Sequence, residues 1–185
     1  LAQFENAIET VLRHEGFYSN DSADPGGATK YGVSLRFLQS LGEDLGDVDR
    51  DGDIDIADIK ALTLEGAVAI YRREWWDKYL YAEIIDERLA TKVLDLSINM
   101  GAGQAHKLVQ AAANRAKPGL TVDGKLGSKS FQVINSLPPE ILLRLIADEA
   151  AGFYVKLTLT RIRNMGVEEG GKYLRGWIRR AYALI

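Results

Sequence analysis

The chain has 185 residues, 46% hydrophobic and 26% charged, the size of one domain or slightly more and long enough to bury a core without staples. It has no cysteine, which excludes disulfides, thiol catalysis and cysteine-ligated zinc. Its net charge of −3 argues against nucleic-acid binding, and no apolar run approaches the ~20 residues of a membrane span. In chain order the pattern is mostly helical. Phe4, Ala7, Ile8, Val11 and Leu12 recur at helical spacing and predict an amphipathic helix over 2–14, stopped by Gly16 after His14 and Glu15. Residues 17–33 crowd Asn, Asp, Pro and Gly, the composition of a turn-rich loop or small β-hairpin. Ser34 is placed to cap a short helix through Leu41. An acidic loop follows over 47–58, then a helical turn from Ile59 to Leu62, and Thr63 caps a helix through about Tyr79. Asp86 opens a long helix carrying Leu89, Val93, Leu96 and Met100, broken near Gly101 and Gly103. Helices are expected over roughly 104–116 and, after a Gly-rich loop at 119–129, over a short segment. A long helix starts at Ser136-Leu-Pro-Pro-Glu, where proline in the first turn forfeits no bond, and a last helix covers 172–184. The expected fold is mainly α, with one small β-hairpin.

Charge is unevenly spread. Residues 41–60 hold eight acids against Arg50 and Lys60, a local −6, whereas the chain from Arg144 onward is locally +4. Arg175, Arg179 and Arg180 ring an aromatic stripe on the last helix, so this end is expected to face an anionic polymer or membrane surface.

Glu15 closes an amphipathic helix beside Phe17 and Tyr18. A carboxyl that is partly desolvated there stays protonated near neutral pH, as a general acid in glycoside cleavage must. Asp24 follows nine residues later, extended by Pro25, and Thr29 comes five after that; Gly26-Gly27 lets the chain turn back, so a carboxylate and a hydroxyl can hold a water opposite Glu15. Spacing alone equally fits a surface residue at a helix end and an ordinary turn. The histidines, His14 and His106, are too few and too far apart for a zinc amidase, and no nucleophile elbow is present.

His14-Glu15-Gly16-Phe17-Tyr18-Ser19-Asn20-Asp21, with Asp24-Pro25-Gly26-Gly27-Ala28-Thr29-Lys30-Tyr31-Gly32-Val33, resembles the signature of glycoside hydrolase family 108, lysozyme-like N-acetylmuramidases of phage endolysins and prophage regions. The resemblance continues in Ala69 to Trp76, in Asp95 to Gly101 and in Val122 to Gly127; the last two resemble the peptidoglycan-binding region that accompanies this family. It implies a lysozyme-like helical globule with a hairpin near the active site. Residues 1–90 would form the catalytic part and 91–185 the peptidoglycan-binding part, packed into one monomeric body. It implies Glu15 as catalytic acid. The nine-residue step to Asp24 fits phage-type lysozymes, whereas the step from Asp24 to Thr29 is one residue short, so Asp24 either serves catalysis or holds the turn. Tyr18, Asn20, Lys30, Tyr31, Asn99 and one of the adjacent pair Trp75 and Trp76 are the expected substrate contacts. The implied activity is hydrolysis of the β-1,4 bond between N-acetylmuramic acid and N-acetylglucosamine. The enzyme would be phage-encoded, made in the host cytoplasm and active on the wall in the periplasm. Lytic transglycosylase chemistry and a non-catalytic, calcium-dependent wall-binding module are the alternatives.

A second constellation stands without any family. Asp47, Asp49, Asp51, Asp53, Asp55 and Asp58 fall at positions 1, 3, 5, 7, 9 and 12 of a loop with Gly52 at position 6, the EF-hand spacing for calcium. Asp in place of Glu at position 12 resembles dockerin loops. Position 7 is expected to bind through its carbonyl, and the loop reads as an insertion holding one structural Ca²⁺.

Overall fold

The computed structural model describes residues 1–15, 18–19 and 28–183, and for 13–15 and 18–19 it describes the backbone. The chain forms two compact units, Phe4–Lys78 and Tyr79–Ile185, the latter joined by Leu1–Gln3.

In the first unit, α1 (Phe4–Glu15) buries Phe4, Ala7, Ile8 and Val11, the face its periodicity predicts. The expected hairpin is a three-stranded antiparallel sheet of two-residue strands, β1 (Tyr18–Ser19), β2 (Thr29–Lys30) and β3 (Val33–Ser34), in that order. Tyr31 and Gly32 link β2 to β3 with φ of 53° and 79°; two positive φ values give a two-residue turn the twist that adjacent strands need. Ser34 caps α2 (Leu35–Ser40) by accepting from Phe37 N–H at 3.2 Å. α3 (Glu43–Gly46) and α4 (Ile56–Ala61) flank the acidic loop. Thr63 caps α5 (Leu64–Tyr71) through Gly66 N–H at 3.0 Å.

The helix expected to run uniformly to Tyr79 changes character instead. Arg72–Asp77 is π-helical, and such wider turns rotate successive side chains less than an α-helix does. Trp76 is buried edge-on against Phe4, with ring centroids 5.6 Å apart.

In the second unit, α6 (Glu87–Met100) is capped by Asp86, which accepts from Leu89 N–H at 3.1 Å. α7 (Ala102–Ala116) and α8 (Ser128–Ser136) follow. α9 (Pro139–Met165), roughly 40 Å long at 1.5 Å per residue, packs against α7, α10 (Val167–Gly171) and α11 (Leu174–Tyr182). Its buried positions, Leu142, Leu143, Ile146, Ala147, Ala150, Ala151, Tyr154 and Thr158, form one stripe at helical spacing. Tyr154 also stacks on Trp177 of α11 at 5.5 Å. Lys92 of α6 is fully buried, and its Nζ donates to Arg180 O at 2.6 Å and Ala183 O at 3.1 Å. Arg180 is not the exposed cation its sequence neighbours suggest: its side chain is mostly buried and meets Asp95 at 3.8 Å, leaving Arg175 and Arg179 exposed on α11. Among the described residues no helix is long and apolar enough to cross a membrane.

Candidate active site and acidic loop

Glu15 is the last residue of α1, and β1 begins three residues later. At the reach of an extended chain, Tyr18 Cα lies at most about 11 Å from Glu15 Cα. Tyr18 pairs with Lys30 and Ser19 with Thr29, and paired Cα atoms sit about 5 Å apart. The β1–β2 pair thus begins within about 11 Å of the helix end. Asn20 and Asp24 lie outside the described residues, as do the side chains of Glu15 and Tyr18.

The rest of the sheet is pinned from outside. Thr29, half-buried, pairs with both Ser19 and Ser34. Lys30 donates from Nζ to Lys60 O at 2.5 Å and lies 5.5 Å from the Tyr31 ring centroid. The Tyr31 carbonyl accepts from Tyr71 O–H at 2.9 Å, which anchors the left-handed turn to α5. Trp75 is half-buried, its ring 4.9 Å from Phe37 and 5.5 Å from Tyr71. Of the adjacent tryptophans, Trp76 is therefore core and Trp75 keeps an accessible edge. Asn99 belongs to the other unit, exposed near the end of α6, where its Oδ1 accepts from Tyr154 O–H at 2.6 Å.

The acidic loop is folded around Asp58, which is fully buried. Its Oδ1 accepts from Val48 N–H at 2.6 Å and Asp49 N–H at 3.3 Å, and its Oδ2 from Asp55 N–H at 2.7 Å. Asp47 accepts from Asp51 N–H at 3.1 Å and Gly52 N–H at 3.0 Å. Gly52 sits at φ +99°, a conformation that position 6 demands and that a Cβ disfavours. Carboxylate oxygens of Asp47, Asp49 and Asp58 lie within 4.8 Å of one another, and so do those of Asp53, Asp55 and Asp58. Asp58 joins the two groups. Asp51 stands outside both, its Oδ1 taking Asp53 N–H at 3.1 Å. Asp53 brings its carboxylate to the group, where the loop register alone assigned it a carbonyl.

Burial and then the neighbouring charges of Asp51 and Asp58 hold the Asp49 carboxyl above its ordinary range, and Asp51 foremost does the same to Asp53. Burial pushes Asp58 up as well, but its backbone N–H donors outweigh it and the net shift is downward. An all-oxygen set of crowded carboxylates fits a hard divalent cation, whose charge would relieve this repulsion.

The Glycosyl hydrolase 108 family model matches residues 8–101, just over half of the chain. The chain belongs to this family. A second model, described as a predicted peptidoglycan domain, matches residues 104–182. This family 108 chain is therefore a glycoside hydrolase that acts on peptidoglycan. Twelve chains of solved structures match it. One is the structure of Brucella abortus SagA, 24% identical, with a TM-score of 0.71 over 98% of this chain and 94% of that one; the likeness establishes a shared fold. No curated protein sequence matches the chain.

Proposed function

We propose that this hydrolase is an N-acetylmuramidase of the endolysin type, cleaving the β-1,4 bond between N-acetylmuramic acid and N-acetylglucosamine. The observation that carries the reading is the closure of α1 on Glu15 immediately before the sheet that bears Thr29. The carbonyl end of a helix disfavours negative charge, the direction a general acid requires. Glu15 protonates the leaving glycosidic oxygen. Asp24 or Thr29 positions the water that attacks the opposite face, so the anomeric centre inverts. Trp75, Tyr18, Asn20, Lys30 and Tyr31 supply sugar contacts, Trp75 through its accessible edge. The loop from Asp47 to Asp58 holds one Ca²⁺ as a structural clamp through the carboxylates gathered around Asp58, and takes no part in the chemistry. The enzyme works as a monomer, encoded by a phage and acting on the wall in the periplasm, with Arg175 and Arg179 of α11 toward the anionic surface.

Glu15→Gln tests the assignment. Wild type should release muropeptides with free reducing ends, identified by mass spectrometry, and the variant should lose about 10²–10⁴-fold in rate with unchanged circular dichroism. Asp24→Asn should cost more than about tenfold if that carboxylate serves catalysis directly. Anhydro products would assign the chain to transglycosylation, and a fully active Glu15→Gln would remove Glu15 from the mechanism.

A further inference from the structure

Among the described residues three non-glycines have a positive φ, Tyr31, Arg50 and Leu80. Tyr31 belongs to the turn between β2 and β3, and Arg50 to the acidic loop. Leu80, in the second unit, sits at φ +56° just before a 3₁₀ turn over Tyr81–Glu83. Left-handed backbone disfavours a Cβ and is left mostly to Gly, Asn and Asp. Burial does not offset that cost, because the leucine is 58% exposed. Its neighbours fix its direction. The rings of Tyr79 and Tyr81 both face His106, with centroids 5.0 and 5.7 Å away. The Tyr81 hydroxyl lies 2.7 Å from Ser97 Oγ and 2.8 Å from His106 Nε2. With the rings on both sides turned inward, Leu80 is held outward. A glycine or asparagine here would relieve the backbone at little loss of packing, so folding alone does not account for a leucine.

Leu80 lines a cavity of about 510 Å³ together with Glu83, Leu126, Phe131, Gln132 and Asn135, among others, a volume in the range of ligand sites. Its walls are fixed in advance. Asn135 of α8 donates to Glu83 O at 2.8 Å and accepts from Ile85 N–H at 2.9 Å. Leu126 is carried by the loop over 119–127, which α7 clamps with His106, Gln110 and Asn114, at i, i+4 and i+8 on one helix face. His106 Nδ1 donates to Gly124 O at 3.0 Å. Gln110 accepts from Gly124 N–H at 2.8 Å and donates to Lys125 O at 3.0 Å and Asp123 Oδ1 at 2.9 Å. Asn114 accepts from Gly119 and Leu120 N–H at 3.1 and 2.8 Å and donates to Leu120 O at 2.8 Å. Binding between walls held in this way carries little ordering cost. The lining is apolar at Leu80, Leu126 and Phe131. Glu83 supplies its only charge, and that carboxylate makes no ion pair among the described residues.

We infer that this cavity binds an alkyl chain ending in an ammonium group, and that on the wall this is the diamino acid of an uncross-linked peptide stem. The inference rests on the reading of the chain as a peptidoglycan hydrolase. Leu80, Leu126 and Phe131 take the methylenes, and the Glu83 carboxylate accepts from the ammonium. A sugar fits the lining less well: Phe131 is only 7% exposed and offers no open ring face to a pyranose, and the N-acetylated glycan brings no cation to Glu83. Cross-linking acylates the stem amine and removes its charge, so the cavity distinguishes free stems from linked ones.

The test is an NMR titration of the full chain with a soluble stem tripeptide ending in diaminopimelate, and with the same peptide acetylated on its side-chain amine. The free peptide should shift the amide resonances of Leu80, Glu83 and Gln132 saturably. The acetylated one should bind about five- to tenfold more weakly, the scale of one partly exposed charge-assisted hydrogen bond. Glu83→Gln should weaken the free peptide by the same factor and bind both peptides alike. Leu80→Asn should weaken both peptides about fivefold while melting at or above the wild-type temperature, because asparagine tolerates the left-handed backbone. A wild type that binds the two peptides equally, or a Glu83→Gln that still separates them, overturns the proposal. So does a Leu80→Asn that binds as wild type, or the absence of any shift at the three residues. An N-acetylglucosamine tetramer that shifts them in place of the peptide assigns the cavity to the glycan and also overturns it. None of these readouts needs turnover: wild type that fails to hydrolyse sacculi counts against the enzymatic reading alone, and the peptide titration still decides the cavity.

Discussion

Lys92→Met probes the way α11 is held onto the second unit. Lys92 is 1% exposed, and its ammonium reaches the carbonyls of Arg180 and Ala183 at the C-terminal end of α11, where cationic donors are favoured. Burial pulls its pKa down from 10.5 to about 8, against the opposing pull of Asp95, while Arg180 adds to the fall. Below pH 8 the folded chain therefore carries a charge that burial penalises. Between about 8 and 10.5 the unfolded chain binds more protons than the folded one, so this group makes stability rise with pH across that window. At 1.36 kcal/mol per pH unit the gain is about 3 kcal/mol. At neutral pH the substitution removes two hydrogen bonds and one desolvation penalty together, so the decisive quantity is the difference between the two pH limits. Urea unfolding of both proteins from pH 7 to 10.5 should show wild type gaining about 3 kcal/mol on Lys92→Met. Other titrations cancel in that difference. Parallel stability curves would refute the buried-charge argument.

Calcium at a free concentration 100 times its dissociation constant should add about 2.7 kcal/mol, raising the melting temperature by roughly 5–10 °C; EGTA should reverse this, and Asp47→Ala with Asp51→Ala should abolish it, whereas indifference to both reagents would dismiss the ion. Gln110→Ala removes three loop bonds at a site 2% exposed and should cost about 2–4 kcal/mol, read by urea unfolding, with faster hydrogen exchange at residues 119–125; unchanged exchange there would contradict the clamp. Arg175→Gln with Arg179→Gln should weaken sacculus binding at low salt and matter less at physiological ionic strength, where exposed charges are screened within about 8 Å; equal binding at low salt would leave α11 without that role.

The features legible in the sequence are those whose cause is local. Ser34, Thr63 and Asp86 each cap the helix they were expected to cap, because a side-chain oxygen reaching an N–H three residues on needs no tertiary partner. The acidic loop is recognisable for the same reason, its register being written within twelve residues. Features set by tertiary contact were not legible. The π-helical turn at Arg72–Asp77 answers to Phe4 and Phe37, which come from far earlier in the chain. Arg180 reads as a surface cation until Asp95 is brought beside it. The stripe of His106, Gln110 and Asn114 did carry a signal: three polar residues on one face of an otherwise alanine-rich helix, just before a Gly-rich loop, mark a helix that must satisfy a neighbouring backbone.

α4 is six residues long, too short to persist by its own hydrogen bonds. Its order comes from its two ends. At the start, the Asp55–Asp58 capping box ties it to the acidic loop; near its finish, the Lys60 carbonyl takes the Lys30 ammonium from β2. The loop, this helix and the strand beside Thr29 should therefore open and close as a single cooperative unit. Amide protection measured at Thr29 would then track protection at Asp58, although the two residues are far apart in sequence, and a substrate that quiets the sheet would quiet the loop with it.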